Sequence, residues 1–246
     1  MLKFRLIARL DIKTPYLIKT RQLDGVRRVG DPAEYARRYN AEGIDEILFL
    51  DVVASLYRRN SLHALIERTT ADVFCPACVG GGVDSVASAV GLLKAGADKI
   101  ALNTAAVANP GLIDELAHKL GSQSVVLQLD VKRQGNGWQV LTDGGRQETG
   151  RDALTWAREA VSRGAGEILC TSADREGTGA GFDLPLVEAI AALPVPVIAA
   201  GGFGTPEHGR QAQQAGASGI CVAGALHYGR CSVADIKGGL ENVRAA

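Results

Sequence analysis

Two aspartates, Asp11 and Asp130, each close a short run of mostly apolar residues, and they stand 119 residues apart. Carboxylates at the ends of parallel strands supply acid–base chemistry at the mouth of an α/β barrel. Two of them can divide the work, one giving a proton and the other taking it. Each also has a plainer reading, as a cap on the loop that follows; their symmetric placement favours chemistry. Asp51, ending a second run, and Thr171, near the end of a sixth, are placed to line the same mouth. Gly80-Gly81-Gly82 follows a strand-like run and opens a helix-like one, and Gly201-Gly202-Phe203-Gly204 does the same about 120 residues further on. Glycine lets backbone N–H groups come close to an anion, with a helix N-terminus behind them. The next runs end in Asn103-Thr104 and Ala223-Gly224-Ala225, small or hydroxylated residues suited to completing each site. A lone Gly-Gly would be read as a tight turn; two matched copies point to a long ligand with a phosphate at either end. Lys19, eight residues beyond Asp11, either folds over a phosphate and closes the site or is a solvated loop lysine.

The elements that must hold these residues alternate regularly. Strands are expected near Arg5–Asp11, Glu46–Asp51, Val73–Val79, Lys99–Asn103, Ser124–Asp130, Glu167–Ser172, Val195–Ala200 and Gly219–Val222. Helical patterns follow near Pro32–Glu42, Ser61–Thr69, Ser85–Ala95, Pro110–Leu120, Asp152–Arg163, Leu184–Ala192, Thr205–Ala215 and Ser232–Val243. Pro32 and Pro110 suit a first helical turn, and Gly43, Gly96, Gly164 and Gly216 fall where helices end. This rhythm implies βαβ units and a parallel sheet. The chain also repeats in halves: Gly43-Ile44-Asp45-Glu46-Ile47-Leu48 recurs as Gly164-Ala165-Gly166-Glu167-Ile168-Leu169, an offset of 121. Four units taken twice close into a (β/α)8 barrel, whereas a doubly wound open sheet predicts no such repeat. Two insertions break the rhythm: a long basic loop over Ile12–Gly30, and Val131–Gly150, whose Gly135-Asn136-Gly137 signals a hairpin turn.

At 246 residues the chain suits one barrel, and no linker or low-complexity stretch divides it, so residues 1–246 are expected to form a single domain. With 27 basic and 27 acidic residues the formal net charge is zero, which argues against nucleic-acid or membrane binding by bulk charge; an anion must be held locally. The opening Met1-Leu2-Lys3-Phe4-Arg5-Leu6-Ile7 is too short and too charged for a signal peptide. The expectation is a soluble, cytoplasmic protein with five reduced cysteines.

Several stretches resemble one family. Leu10-Asp11, Lys19, the run from Phe49-Leu50-Asp51 to Ala54-Ser55, Val79-Gly80-Gly81-Gly82, Asn103-Thr104-Ala105-Ala106, Gly121-Ser122-Gln123, Leu129-Asp130-Val131-Lys132-Arg133 and Thr171-Ser172-Ala173-Asp174-Arg175-Glu176-Gly177-Thr178 are similar to the cyclase subunit of imidazole glycerol phosphate synthase, in register over nearly the whole chain. The related sugar isomerase of histidine biosynthesis shares the half-barrel repeat but is less like this chain in the second strand. The resemblance implies a lyase with no cofactor or metal. It would take a ribulosyl aminoimidazole-carboxamide nucleotide with two phosphates, use ammonia from a glutaminase partner, and release imidazole glycerol phosphate and an aminoimidazole-carboxamide ribotide. It assigns Asp11 and Asp130 as the acid–base pair. Gly82, Asn103 and Thr104 would hold one phosphate, and Gly177, Gly202 and Gly224 the other. Arg5, Glu46, Lys99 and Glu167 match a charged gate through which ammonia enters the barrel's N-terminal face; barrel-bottom salt bridges are the plainer reading. Asp98 and Gln123 would lie on that face, where the glutaminase docks.

Departures from the family pattern matter as well. Side chains alternate along a strand, so Arg9 should lie one layer below Asp11, and Gln128 one layer below Asp130, where the family usually carries small residues. A buried arginine needs a partner, with Asp11 or Asp51 nearest, and beside Asp11 it would lower that carboxyl's pKa and narrow an ammonia path. Thr20, Glu176 and Gly224 also depart from the pattern. Two alternatives therefore accompany the cyclase reading: a divergent subunit delivering ammonia for amidation of another, surface-sugar, substrate, and a phosphosugar aminoimidazole isomerase. Cys75-Pro76-Ala77-Cys78 has redox-motif spacing but lies in a strand and reads as structural, like Cys170 and Cys221. His63, His118, His208 and His227 show no metal-ligand spacing, and Trp138 and Trp156 read as packing residues.

Overall fold

Alternation along eight short strands sorts the side chains into a barrel interior and an outer layer. A computed structural model describes residues 3–54 and 62–241. The strands are β1 (Arg5–Lys13), β2 (Glu46–Asp51), β3 (Ala77–Gly80), β4 (Lys99–Leu102), β5 (Val125–Gln134), β6 (Glu167–Ser172), β7 (Val197–Ala200) and β8 (Gly219–Val222). Each pairs in parallel with the next, and β8 pairs with β1, so the sheet closes without an edge. Ile7, Leu48, Cys78, Val126, Leu169, Ile198 and Cys221 pack together inside the barrel. Their strand neighbours, among them Leu6, Ala8, Ile47, Phe49, Val79 and Leu127, pack outward in a second cluster with Tyr39, Leu92, Leu116 and Trp156 from the helices. The expected (β/α)8 barrel is the fold observed.

The helices begin where capping chemistry permits. Asp31, Ser85, Asp152 and Asp183 accept hydrogen bonds from backbone N–H groups of the first turns of helices Pro32–Ala41, Val86–Lys94, Ala153–Ser162 and Leu184–Ala191. Trp138 does more than pack, since its Nε1–H donates to the capping Asp183 at 2.9 Å. Pro110 sits one residue earlier than expected, as the cap of helix Gly111–Leu120.

Three expectations need correction. The segment Ile12–Gly30 is no loop: β1 runs on to Lys13, and strands Tyr16–Arg21 and Asp24–Gly30 form an antiparallel ribbon folded back along it, with Asp11 opposite Ile18. The second insertion bears out its hairpin turn: β5 runs on to Gln134 and pairs with Gly137–Thr142, and Gln147–Asp152 adds a further strand. β3 and β7 start later than expected, at Ala77 and Val197, each just after a proline that lacks a ladder N–H. Two short helices, Thr104–Ala108 and Gly224–His227, were not expected; both follow a residue of the same unusual backbone geometry, Asn103 (φ −131°, ψ −89°) and Ala223 (φ −124°, ψ −83°). Ser55, Ser61 and Val243, included in the readings above, lie outside the described residues.

Where β3 ends, the chain turns across the end of β2. Gly81 has φ +93°, and a Cβ there would lie 2.2 Å from the carbonyl oxygen of Asp51; its half-repeat mate Gly201 has φ +83° and the same crowding against Ser172. Gly81→Ala is expected to cost about 1–3 kcal/mol of stability, from strain that only glycine escapes. Urea denaturation checks this, and an unchanged midpoint would contradict the close approach.

Candidate active site

Asp11 and Asp130 sit at the C-terminal ends of strands four places apart in the eight-membered ring, hence across the barrel from one another. Both are buried, at 2% and 1% exposure. Between them lies Arg9, one inward position below Asp11. Its Nε donates to Asp11 Oδ1 at 2.7 Å, and its Nη1 donates to Thr171 Oγ1 on β6 at 3.2 Å. The guanidinium therefore spans the barrel lumen. Gln128, below Asp130, donates to Asp130 Oδ2 at 2.7 Å; Asn103 donates to the same oxygen at 3.0 Å and to the carbonyl of Leu141 at 3.0 Å. Among the described residues, Asp130 Oδ1 is buried without a hydrogen-bond partner.

These surroundings push the two carboxyls in opposite directions. Burial alone raises Asp11, but the positive charges of Arg9 and Lys19 and the Arg9 hydrogen bond outweigh it and hold the carboxyl below its ordinary value. Burial also raises Asp130, and there it prevails over the charge of Arg9 and the polar groups of Gln128, Thr171 and Asn103. Arg9 itself stays charged: burial works against its cation, but Asp11 and Asp130 more than compensate.

Lys19 is not a solvated loop residue. It lies on the first strand of the ribbon after β1, buried, ion-paired with Glu176 and 3.8 Å from Asp11 Oδ2. Glu176 also secures the ribbon's tip. Its Oε2 accepts from the backbone N–H of Leu23 at 3.1 Å, and its carbonyl accepts from that of Gln22 at 3.0 Å. Asp11 was expected to face the open mouth; under this cover it borders neither of the two cavities there.

The larger cavity, about 560 Å³, lies over the second half of the barrel and is lined by Gly177, Gly202 and Gly224. The smaller, about 360 Å³, lies over the first half and is lined by Asp51, Gly82, Asn103, Thr104 and Asp130. Arg9 and the ribbon residues Thr20, Asp24 and Gly25 line both, so the cavities meet over the guanidinium. Each is built from a glycine turn and the start of one short helix, where first-turn N–H groups have no intrahelical partner. Thr104 Oγ1 is already engaged, accepting from the N–H of Asp143 at 3.0 Å. Thr171 is fully buried and borders neither cavity. Sequence reading missed Arg21, Arg27 and Arg230, which make the larger cavity basic, and Arg146, which reaches the smaller one; the basic character of the first insertion was the available signal. It also missed His227, whose Nδ1 meets the Tyr39 hydroxyl at 2.7 Å and whose burial holds it down to about 4 and so neutral.

At the opposite face, Arg5, Glu46, Lys99 and Glu167 form a closed ring of alternating charge. Arg5 reaches Glu46 at 2.7 Å and Glu167 at 2.5 Å, and Lys99 reaches them at 2.8 and 3.3 Å. Asp98 and Gln123, both exposed, lie beside this face, next to the starts of β4 and β5. Cys78, Cys170 and Cys221 are buried as expected of structural residues; burial also pushes the half-buried Cys75 up to about 11, which makes it a poor thiolate. Among the described residues no helix is long and apolar enough to cross a membrane.

Residues 5–232 match the family described as Histidine biosynthesis protein. Similar proteins carry the name imidazole glycerol phosphate synthase subunit HisF. That of Myxococcus xanthus (strain DK1622) is 50% identical over 239 residues, covering 96% of this chain and 94% of its own. That of Legionella pneumophila is 54% identical over 209 residues, covering 84% and 99%, and that of Thermococcus gammatolerans is 48% identical over 238 residues, covering 96% and 94%.

Opposite pKa shifts give opposite stability effects. Asp130 binds its proton more tightly folded than unfolded, so above its folded pKa the ionised form costs stability; Asp130→Asn removes that cost and is expected to raise the urea midpoint at pH 7. Asp11 binds its proton less tightly folded, so its ionised form contributes stability that is lost as pH falls through its folded pKa. Asp11→Asn strips Arg9 of its nearest counter-charge and is expected to cost about 3 kcal/mol. A more stable Asp11→Asn variant would show that Arg9 is balanced elsewhere.

Proposed function

Because this chain belongs to the HisF family of imidazole glycerol phosphate synthase subunits, we infer that it is the cyclase that converts the ribulosyl aminoimidazole-carboxamide nucleotide to imidazole glycerol phosphate and the aminoimidazole-carboxamide ribotide. One observation carries this reading: two buried carboxyls on opposite sides of the barrel whose surroundings shift them in opposite directions, with Arg9 bound to Asp11 where two glycine-turned cavities meet. Adding ammonia to a sugar carbonyl, losing water and closing a ring are successive proton transfers. They need one group that holds a proton and one that accepts it. Asp130, held up by burial, is the acid. Asp11, held down by Arg9 and Lys19, is the base. The two phosphates anchor at Gly82, Asn103 and Thr104 on one side and at Gly177, Gly202 and Gly224 on the other, with Asp51 lining the smaller cavity and Thr171 beneath both, holding Arg9. Asn103 contributes backbone there, since its side-chain amide is committed to Asp130 and Leu141. Lys19 covers Asp11, so substrate reaches the base once the Lys19–Glu176 pair yields.

Ammonia comes from a glutaminase subunit docked over the ring of Arg5, Glu46, Lys99 and Glu167, with Asp98 and Gln123 at its rim. No cofactor takes part, and the reaction is placed in the cytoplasm. The arrangement of Arg9 and Gln128 across the lumen favours one other reading, a relative that passes ammonia to a different substrate. Purified protein, the bisphosphate nucleotide and high ammonium chloride test both, followed by loss of substrate absorbance. Turnover is expected, with Asp11→Asn and Asp130→Asn each reducing kcat by about 100-fold or more. Absence of turnover in a protein that still binds a glutaminase at the Arg5 face would favour the second reading.

A further inference from the structure

The guanidinium of Arg9 lies inside the barrel between the two carboxylates, and its bonds are unevenly shared. Nε is committed to Asp11, Nη1 crosses to Thr171, and among the described residues no hydrogen bond engages Nη2, although the residue lines both cavities. Asp130 receives no hydrogen bond from it; neutral Gln128 and Asn103 hold that carboxyl instead. Two symmetry-related aspartates thus have different partners in the layer beneath them, a cation under one and an amide under the other.

We propose that Arg9 is the positioning residue that divides the acid and base roles, fixing Asp11 as the ionised base through the Nε–Oδ1 bond and leaving Asp130 to carry the proton. This rests on the cyclase reading above. The bond to Thr171 holds the guanidinium plane from both sides, so Asp11 keeps one orientation, with Oδ2 toward Lys19. In turnover the proton leaves the substrate for Asp11, a second proton leaves Asp130 for the departing oxygen, and Arg9 stays charged throughout. Other groups also face Asp11. Lys19 lies above it and is itself paired with Glu176, and His227, neutral, approaches from the short helix after β8. Lys19 belongs to the ribbon and is held by Glu176. Arg9 belongs to the same barrel strand as Asp11, so its place beside that carboxyl does not depend on the ribbon.

Two measurements on the full-length protein test this. The first is the pH dependence of kcat/KM with the bisphosphate nucleotide and saturating ammonium chloride, for wild type, Arg9→Met and Arg9→Lys. In Arg9→Met the acidic limb is expected to move up by about one pH unit or more, as loss of an adjacent cation requires, and in Arg9→Lys it is expected to return most of the way. The second is a carbon-13 NMR titration of the Asp11 carboxyl, assigned with Asp11→Asn, which needs no turnover and so stands even if the substrate is a different one. There Asp11 is expected to titrate higher in Arg9→Met than in wild type, and Asp130 to move less. Far-UV circular dichroism and a thermal melt establish that each variant is folded; if Arg9→Met does not fold, Arg9→Gln replaces it. An Asp11 titration unchanged by loss of the arginine, or a limb that moves equally in Arg9→Lys and Arg9→Met, would overturn the proposal. Absence of wild-type turnover with a shifted Asp11 titration would instead count against the cyclase reading alone.

Discussion

Two carboxylates buried at one end of a barrel repel each other through a medium that screens poorly, and a cation placed between them decides which keeps its charge. Arg9 is that cation here. It is held at 2.7 Å from Asp11 and tied across to Thr171, so it belongs to one aspartate far more than to the other. A buried arginine is costly unless its donors are satisfied, and the alternation of β1, which brings Arg9 and Asp11 onto one face, provides the partner two residues away. The electrostatic asymmetry of the site follows from that one placement.

The opposite end of the barrel uses charge differently. Arg5, Glu46, Lys99 and Glu167 balance one another in a closed ring. Burial and the neighbouring Glu167 raise Glu46 while Lys99 and Arg5 pull it down, with burial the largest influence and the net direction upward. Between the two charged layers lie apolar side chains, including Ile7, Leu48, Val126 and Leu169. The barrel is thus polar at both ends and greasy in the middle, a sequence of environments that a small neutral molecule crosses more easily than an ion.

Much of this was legible in the order of residues because it depends on local spacing. The offset repeat identified a closed eightfold barrel, and alternation alone put Arg9 under Asp11. The glycine clusters marked both cavities. What stayed hidden depends on distant partners or on short elements. Asp24–Gly30 keeps most of its residues exposed and shows no apolar alternation, so its strand could not be told from a loop. Lys19 is buried only because Glu176, 157 residues away, reaches it. The helices Thr104–Ala108 and Gly224–His227 are too short to show a period. Asp11 lies covered because the ribbon after β1 doubles back, a fold that no reading of β1 alone could supply.

The near-twofold scaffold carries a consequence for ligand polarity. Were the halves alike in the layer under the aspartates, a molecule with a phosphate at each end would fit equally well head-first or tail-first, and half of all encounters would present the wrong carbon to the base. A charged side chain at position 9 and an uncharged one at position 128 make the two halves unlike in that layer. The cavities differ too: Arg21, Arg27 and Arg230 line the larger, and Arg146 stands among Asp51, Asp84 and Asp130 along the smaller. The repeated scaffold builds two cavities of similar plan, and the side chains that differ between the halves give a two-ended ligand unequal surroundings at its two ends.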